Sequence, residues 1–376
     1  LIHYEDYPQR WDEISAIFTK EAILKGAFDR YVEGSAGKRG TIKVDDAFLA
    51  DIEDWRVLLA RNLALRNPAM MDERQLNFAV QMTIDRIIFL RICEDRGIEP
   101  ENQLLEIGQS TDIYANLMAL FYRADLRYNS GLFHFQSETR LAQTHDTLTP
   151  RLNLDDGVLK GIIKDLYYPS PYIFNEIPVE ILGQVYEQFL GKVIRLTASH
   201  RAKVEEKPEV RKAGGVYYTP KYIVDAIVSQ TVGSLLLGKT PEEVTQIKIV
   251  DPACGSGSFL LGAYQYLLDW HENWYLSHTP QKWAKALDDP LAPAEDGGWR
   301  LSTAEKKRIL VNNIFGVDID AQAVEVTKLS LLLKVLEGYT GQMRLGFERA
   351  LPDLGQNIQC GNSLIDSEFY FGRQLN

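Results

Sequence analysis

Between Ile247 and Phe259 the chain reads IKIVDPACGSGSF, and these residue types at this spacing can hold a charged ligand. A β-branched run, Ile247 to Val250, stops at Asp251-Pro252. Gly255 and Gly257 follow among small residues, and an apolar helical pattern starts near Ser258. Strand, tight turn and helix in this order place a ligand at the carboxyl edge of a parallel sheet. The glycines permit close backbone approach, and the helix start offers N–H groups to an anion. A glycine turn can equally do no more than join a strand to a helix. A dinucleotide fingerprint would need a third glycine three residues after Gly257 and an acid about 20 residues further on. Gly262 comes too late, and a tryptophan-rich segment pushes the next strand-end acid too far away.

The full string from Asp251 through Phe259 resembles motif I of the amino-methyltransferases that modify adenine N6 in DNA. Three further strings resemble motifs of that family in family order. Gly215-Val216-Tyr217-Tyr218-Thr219-Pro220 is similar to motif X, Phe315-Gly316-Val317-Asp318-Ile319-Asp320 to motif II, and Gln359-Cys360-Gly361-Asn362-Ser363-Leu364 to motif III. The resemblance implies a pocket for S-adenosylmethionine. Asp318, at the end of an apolar strand, would accept hydrogen bonds from both ribose hydroxyls, and Ile319 would lie against the adenine ring. Asn362, where the family often has Asp, would donate to and accept from the adenine edge, flanked by Ser363 and Leu364. Thr219 would hold the methionine carboxylate, with Tyr217 and Tyr218 as walls. Asp251 would orient the methionine end, and Ala253, Cys254, Gly255, Gly257 and Phe259 would complete the donor-binding set. Singly, Asp318 could cap a helix, the tyrosines could be core and Asn362 could shape a turn.

The chemistry of this family also needs an Asn/Asp-Pro-Pro-Tyr/Phe motif, which holds the adenine amino group and stacks on a flipped base. The chain contains no double proline; Asn67-Pro68-Ala69 and Ser170-Pro171-Tyr172 are the nearest strings. The sequence thus supplies donor-binding residues and no catalytic ones. Glu205-x-Lys207 formally matches a nuclease pair but lacks an acidic strand before it. Cys93, Cys254 and Cys360 form neither a metal spacing nor a disulfide framework, and no metal site is expected. A reducing cytoplasm fits these cysteines.

The net charge of −11 argues against nucleic-acid binding over the whole surface. A basic stretch, Lys192 to Lys212, could still contact phosphate, although a solvated, mobile linker explains it more simply. No apolar run approaches the roughly 18 residues of a membrane span. The opening LIHYEDYPQRW is too polar for a signal peptide, and a start at Leu1 suggests a piece of a longer protein.

The positioning elements divide into a mainly α-helical domain (1–175), a helical connector and basic linker (176–212), and an α/β part (213–376). In the first, Leu76, Val80, Ile84, Ile87, Ile88 and Ile92 recur at helical spacing between Asp72 and Arg96, with Gly97 as a stop. Trp11, Ile14, Ile17 and Phe18 begin another helix, and Phe48, Ile52, Trp55, Leu58 and Leu59 a third. Glu94-Asp95 most simply faces water. Residues 176–191, EIPVEILGQVYEQFLG, predict a further helix. After Thr219-Pro220 a helix is expected, with Ile223, Ala226, Ile227 and Val228 as its apolar residues. Residues 270–300, rich in Trp, Pro and Gly, read as an irregular insertion, and Ser302-x-x-Glu305 as a capping box. A long apolar helix, Val324 to Leu336, follows motif II.

The helical strings resemble the region ahead of the methyltransferase in type IIG restriction–modification enzymes. That likeness implies a Rossmann-like S-adenosylmethionine-dependent methyltransferase core, incomplete here, preceded by a helical domain. The parent would methylate adenine N6 in double-stranded DNA. A type I modification subunit, or a non-catalytic DNA-binding or assembly module that retains the motifs, would share these features.

Overall fold

The computed structural model describes residues 7–19, 44–128, 132–135, 145–168, 170, 172, 174, 191–208, 219–284, 289–294, 297–338 and 351–365. Residues 176–190 of the helix expected over 176–191, and the string from Gly215 to Tyr218, lie outside these residues. The structure divides at Phe48 into a small amino-terminal unit and a large one. In the small unit, α1 (Trp11–Phe18) ends where the Thr19 hydroxyl donates to the Ser15 carbonyl at 2.8 Å.

The large unit begins in α2 (Val44–Arg66), whose Phe48, Ile52, Trp55, Leu59 and Leu63 are buried at three- and four-residue spacing. The central element is α3 (Glu73–Asp95). Asp72 accepts from the Gln75 backbone N–H and Gln75 returns a bond to Asp72, so the start is fixed by a complete capping box. Gly97 follows the end at φ +66°, where a Cβ would be strained. This helix is buried nearly all round, so its polar side chains must find partners inside the protein. Arg86 donates to Asp146, Thr149 and the Leu132 carbonyl, and its guanidinium lies 4.6 Å from the Phe135 ring centroid. Glu94 corrects the expectation that it faces water. It is buried, accepting from the Tyr167 hydroxyl and the Leu104 backbone N–H. Around α3 lie α4 (Gln103–Gln109), α5 (Ile113–Tyr128) and α6 (Asp156–Asp165).

The basic stretch expected as a mobile linker is, over its described residues, a hairpin. β1 (Lys192–Leu196) pairs antiparallel with β2 (Ala202–Glu206), from Lys192 opposite Glu206 to Leu196 opposite Ala202. The cause is long-range. Ile194 is fully buried, and the Asn77 side chain on α3 bonds both its N–H (3.0 Å) and its carbonyl (2.8 Å). Arg56 on α2 donates to the Lys192 carbonyl at 2.8 Å.

The α/β part opens with α7 (Lys221–Leu236). Its buried face is Val224, Val228, Val232 and Leu236, whereas Ile223 and Ile227 are exposed. The four-residue repeat of the valines selects that face, because their side chains stack along one side of the helix. A short α8 (Pro241–Val244) leads to β3 (Ile249–Asp251) and α9 (Ser258–Ser277). The expected irregular insertion is more ordered than its composition indicated. Trp270 and Trp274 continue α9, and β4 (Leu291–Pro293) pairs antiparallel with β5 (Trp299–Leu301). Trp274 stacks on His278 at 4.0 Å between centroids and meets Trp283 edge-on, so these rings serve packing.

In α10 (Thr303–Asn313), Ser302 caps the Glu305 N–H. The reciprocal half of the capping box is replaced by Glu305 bonds to Tyr275 and Arg308. Then come β6 (Ile314–Asp318), α11 (Ala321–Val335) and β7 (Ile358–Cys360). The three strands form a parallel sheet in the order β3-β6-β7, with Asp251 opposite Gly316 and Asp318 opposite Cys360. Parallel neighbours require crossovers, which α9–α10 and α11 supply. Across the seam between the two halves, Arg96 beyond α3 donates to the Leu333 carbonyl of α11 at 3.0 Å.

Candidate functional site

All three strands of the parallel sheet end at one edge, and the turns that leave them carry the residues singled out in the sequence. After β3, the Asp251 carboxylate accepts from the Ala253 N–H at 3.1 Å and so bends the chain back on itself. The buried Cys254 donates its N–H to the Val317 carbonyl at 3.0 Å, tying this turn to β6. Burial, reinforced by the Asp318 and Asp251 carboxylates, pushes the Cys254 thiol up to about 12. It is a packing group.

Gly255 and Gly257 adopt φ +53° and +85°, the region where an L side chain is strained. At Gly255 a Cβ would meet nothing within 4 Å, so the backbone is bare on that side. At Gly257 it would approach Thr327 Cγ2 to 2.8 Å, so the helix α11 permits only glycine there. Gly257 also occupies the N-cap of α9 without any side-chain cap, leaving first-turn N–H groups unclaimed by side chains. Phe259, in that first turn, is half-buried.

Asp318 closes the arrangement. One carboxylate oxygen accepts the Gly255 N–H at 2.8 Å and the other accepts the Asp320 N–H at 2.8 Å. Its backbone carbonyl accepts from Gly361 at 2.9 Å, which draws the turn after β7 to the same place. In that turn Asn362 Oδ1 accepts the Leu364 N–H at 3.0 Å, an Asx-type bond of the kind expected of a turn residue. Ser363 is exposed, Leu364 is 92% exposed, and Ile319 beside Asp318 is 75% exposed. Isolated apolar side chains on a surface are ordinary; two at the mouth of a polar turn cluster provide an apolar face there.

The sheet edge therefore unites Asp251, Ala253, Cys254, Gly255, Gly257, Asp318, Ile319 and the Asn362–Leu364 turn. Thr219 stands just ahead of α7 and is half-buried, with no bond linking it to the others. Tyr217 and Tyr218 lie outside the described residues. Two groups escaped the sequence reading. Thr327, fully buried on α11, donates its hydroxyl to the Gly255 carbonyl at 2.8 Å. A threonine inside an otherwise apolar helical run was the available signal. Lys207, at the end of the hairpin, forms an ion pair with Asp320, the N-cap of α11. No local signal marks that pair, since 113 residues separate its members.

Comparison with known proteins gives the same assignment for this region. Residues 229–367 match the family described as MmeI, DNA-methyltransferase domain. The chain is 34% identical over 98% of its length to the type II restriction enzyme and methyltransferase RM.Eco57I of Escherichia coli, covering 35% of that protein. It is 25% identical over 80% of its length to a putative type II restriction enzyme and methyltransferase of Methanocaldococcus jannaschii, covering 28% of it. Half of the chain is 26% identical to the adenine-specific methyltransferase BrxX of Escherichia coli, covering 15% of that protein. The chain thus spans about a third of the length of the first two relatives. The resemblance to the type IIG restriction–modification enzymes extends through the helical half as well as the motifs.

Proposed function

As a relative of the type IIG restriction–modification enzymes, this chain, we propose, binds S-adenosylmethionine and supplies the donor side of methyl transfer to adenine N6 in double-stranded DNA. The observation that carries this reading is the bond from Gly255 N–H to the Asp318 carboxylate, which joins the motif I and motif II turns at one sheet edge. The residues fit the donor. A carboxylate offers about four acceptor sites, and two at Asp318 are used by backbone N–H groups. The remainder face the two ribose hydroxyls, Ile319 and Leu364 flank the adenine, and the bare Gly255 backbone admits close approach. Asp251 orients the methionine end and Thr219 its carboxylate. S-adenosylmethionine, when bound, supplies a methyl group on a cationic sulfur. What this chain contributes is placement and the exclusion of water, since direct displacement gains mainly from alignment.

In this reading the α/β part is the first portion of a Rossmann-like methyltransferase core. The helical domain (1–175) and the connector (176–212) support it, in a single-chain cytoplasmic enzyme. The sequence holds no Asn/Asp-Pro-Pro-Tyr/Phe string to grip adenine, so the chain as given binds donor and does not methylate. Detecting site-specific methylation by it alone would refute that.

The test is calorimetric titration of the chain with S-adenosylmethionine, beside NADH. Hydrogen bonds to a charged acceptor contribute about 1.5–3 kcal/mol each, so losing two weakens binding roughly a hundredfold or more. Asp318→Ala should show that loss, and Asp318→Asn, which keeps one carbonyl oxygen for Gly255, a smaller one. NADH should give no heat. Unchanged affinity in Asp318→Ala, or preferential binding of NADH, would overturn the assignment.

A further inference from the structure

The turn of the β1–β2 hairpin and the carboxyl end of α2 enclose an open cleft of about 590 Å³, lined by Arg61, Leu65, Pro68, Ser199, His200 and Arg201 among others. Its charges are arranged unlike those on the rest of the hairpin. Lys192 pairs with Glu53, Arg195 with Glu73, Lys203 with Glu205 and Lys207 with Asp320. Arg66, one turn beyond Arg61, pairs with Asp155. Arg61 and Arg201 alone among these have no acidic partner among the described residues, and no carboxylate lines the cleft. His200 is held at φ +57° by the turn, and its Nε2 is closed off from solvent with no hydrogen-bond partner. In a chain of net charge −11, two guanidinium groups without acidic partners among the described residues and the Ser199 hydroxyl converge on one cleft.

We propose that this cleft binds a phosphodiester of duplex DNA, an inference that rests on the DNA-directed function argued above. Guanidinium groups match the geometry of phosphate oxygens, and a hydroxyl adds a donor. Contacts to the phosphate backbone set position rather than sequence. Its place suits that role. β2, with one flanking residue at each end, connects Arg201 at the cleft to Lys207 at Asp320 beside the donor edge. Six residue steps span about 20 Å, or about six base pairs at about 3.4 Å each. A duplex whose adenine is presented at the sheet edge would thus meet the cleft within one helical turn.

The experiment measures binding of a fluorescent duplex by the full chain across a salt series, for the wild type and for Arg61→Gln/Arg201→Gln. Each phosphate contact contributes about 0.9 to the slope of log K against log salt, so the double variant should lose about 2 in slope and about tenfold or more in affinity. Equal slope and affinity in wild type and double variant would overturn the proposal, as would a wild type that binds no duplex. Displacement of the duplex by AMP or inorganic phosphate at low millimolar concentration would overturn it in favour of a nucleotide or free-phosphate site. Titration of the same samples with S-adenosylmethionine separates the two readings. A lost duplex response with donor binding intact condemns the cleft alone, whereas no donor binding condemns the functional assignment itself.

Discussion

Replacing Gly257 by alanine strains the candidate donor turn in two separable ways. The residue occupies φ +85°, where an L side chain costs about 1–2 kcal/mol. The added methyl would approach Thr327 Cγ2 to 2.8 Å and Oγ1 to 2.9 Å, and overpacking of this kind costs about 1–3 kcal/mol. Gly257→Ala should therefore destabilise the α/β part by about 2–5 kcal/mol. Thr327→Ala removes both of the closest atoms, leaving Cβ at 3.2 Å, and forfeits the hydroxyl bond to the Gly255 carbonyl, worth about 1 kcal/mol. In the double variant the backbone strain persists but the collision does not, so the two costs should fall short of additivity by about 1–3 kcal/mol. Urea unfolding followed by tryptophan emission is the assay, because Trp270, Trp274, Trp283 and Trp299 all lie in this part of the chain. Additivity to within about 0.5 kcal/mol would refute the claim that α11 is what confines this position to glycine.

Other outcomes follow from groups elsewhere in the fold. Asp146→Ala leaves the buried Arg86 guanidinium without its 2.8 Å partner and should cost about 3–5 kcal/mol. Adding Arg86→Met should recover part of that; no recovery in the unfolding free energy would argue against the pair. Lys306 is pushed by burial from 10.5 down to about 8, with the Glu337 and Glu272 carboxylates opposing the shift. Between about pH 8 and 10.5 the unfolded chain holds a proton that the folded one has released, so stability should rise with pH across that window. Lys306→Met should flatten the rise, and an unaltered pH profile would count against it. Finally, Cys360 is exposed while Cys93 and Cys254 are buried, each thiol pushed up to about 12 by desolvation. A thiol reagent should modify Cys360 in the native protein and the other two only after unfolding; fast labelling of Cys254 would mean the turn opens.

What could be read from the sequence was local. The repeat from Leu76 to Ile92 and the Gly97 stop fixed α3 to within a residue. The string from Asp251 to Phe259 likewise specified strand, turn and helix, because glycine conformation and strand patterning depend on near neighbours. Misreadings arose where a distant partner decides. Glu94 is acidic at a helix end and looks solvated, until Tyr167, 73 residues away, covers it. Lys192 to Lys212 looks like a mobile basic linker, until, in its described part, Asn77 binds the backbone of Ile194 from 117 residues away. On α7 the apolar residues outnumber one helical face, and only packing against α9, where Val224 lies over Gly262, chooses the inner one. At the candidate site the acids and glycines were legible by type. The bond between Gly255 and Asp318 was not, since it exists only once two strands lie side by side.

The seam between the helical and α/β halves bears on how such chains can be recombined. Lys207 reaches Asp320 and Arg96 reaches the Leu333 carbonyl, so both ends of α11 are held by side chains encoded more than a hundred residues upstream. A chimera spliced near residue 212 would inherit α11 from one parent and its two tethers from the other. Only parents that match at Arg96, Lys207 and Asp320 would yield a well-joined hybrid, since the partner at Leu333 is a backbone carbonyl. The unit of exchange is therefore the pair of halves together, and modularity in this chain stops short of the boundary that its sequence patterns draw.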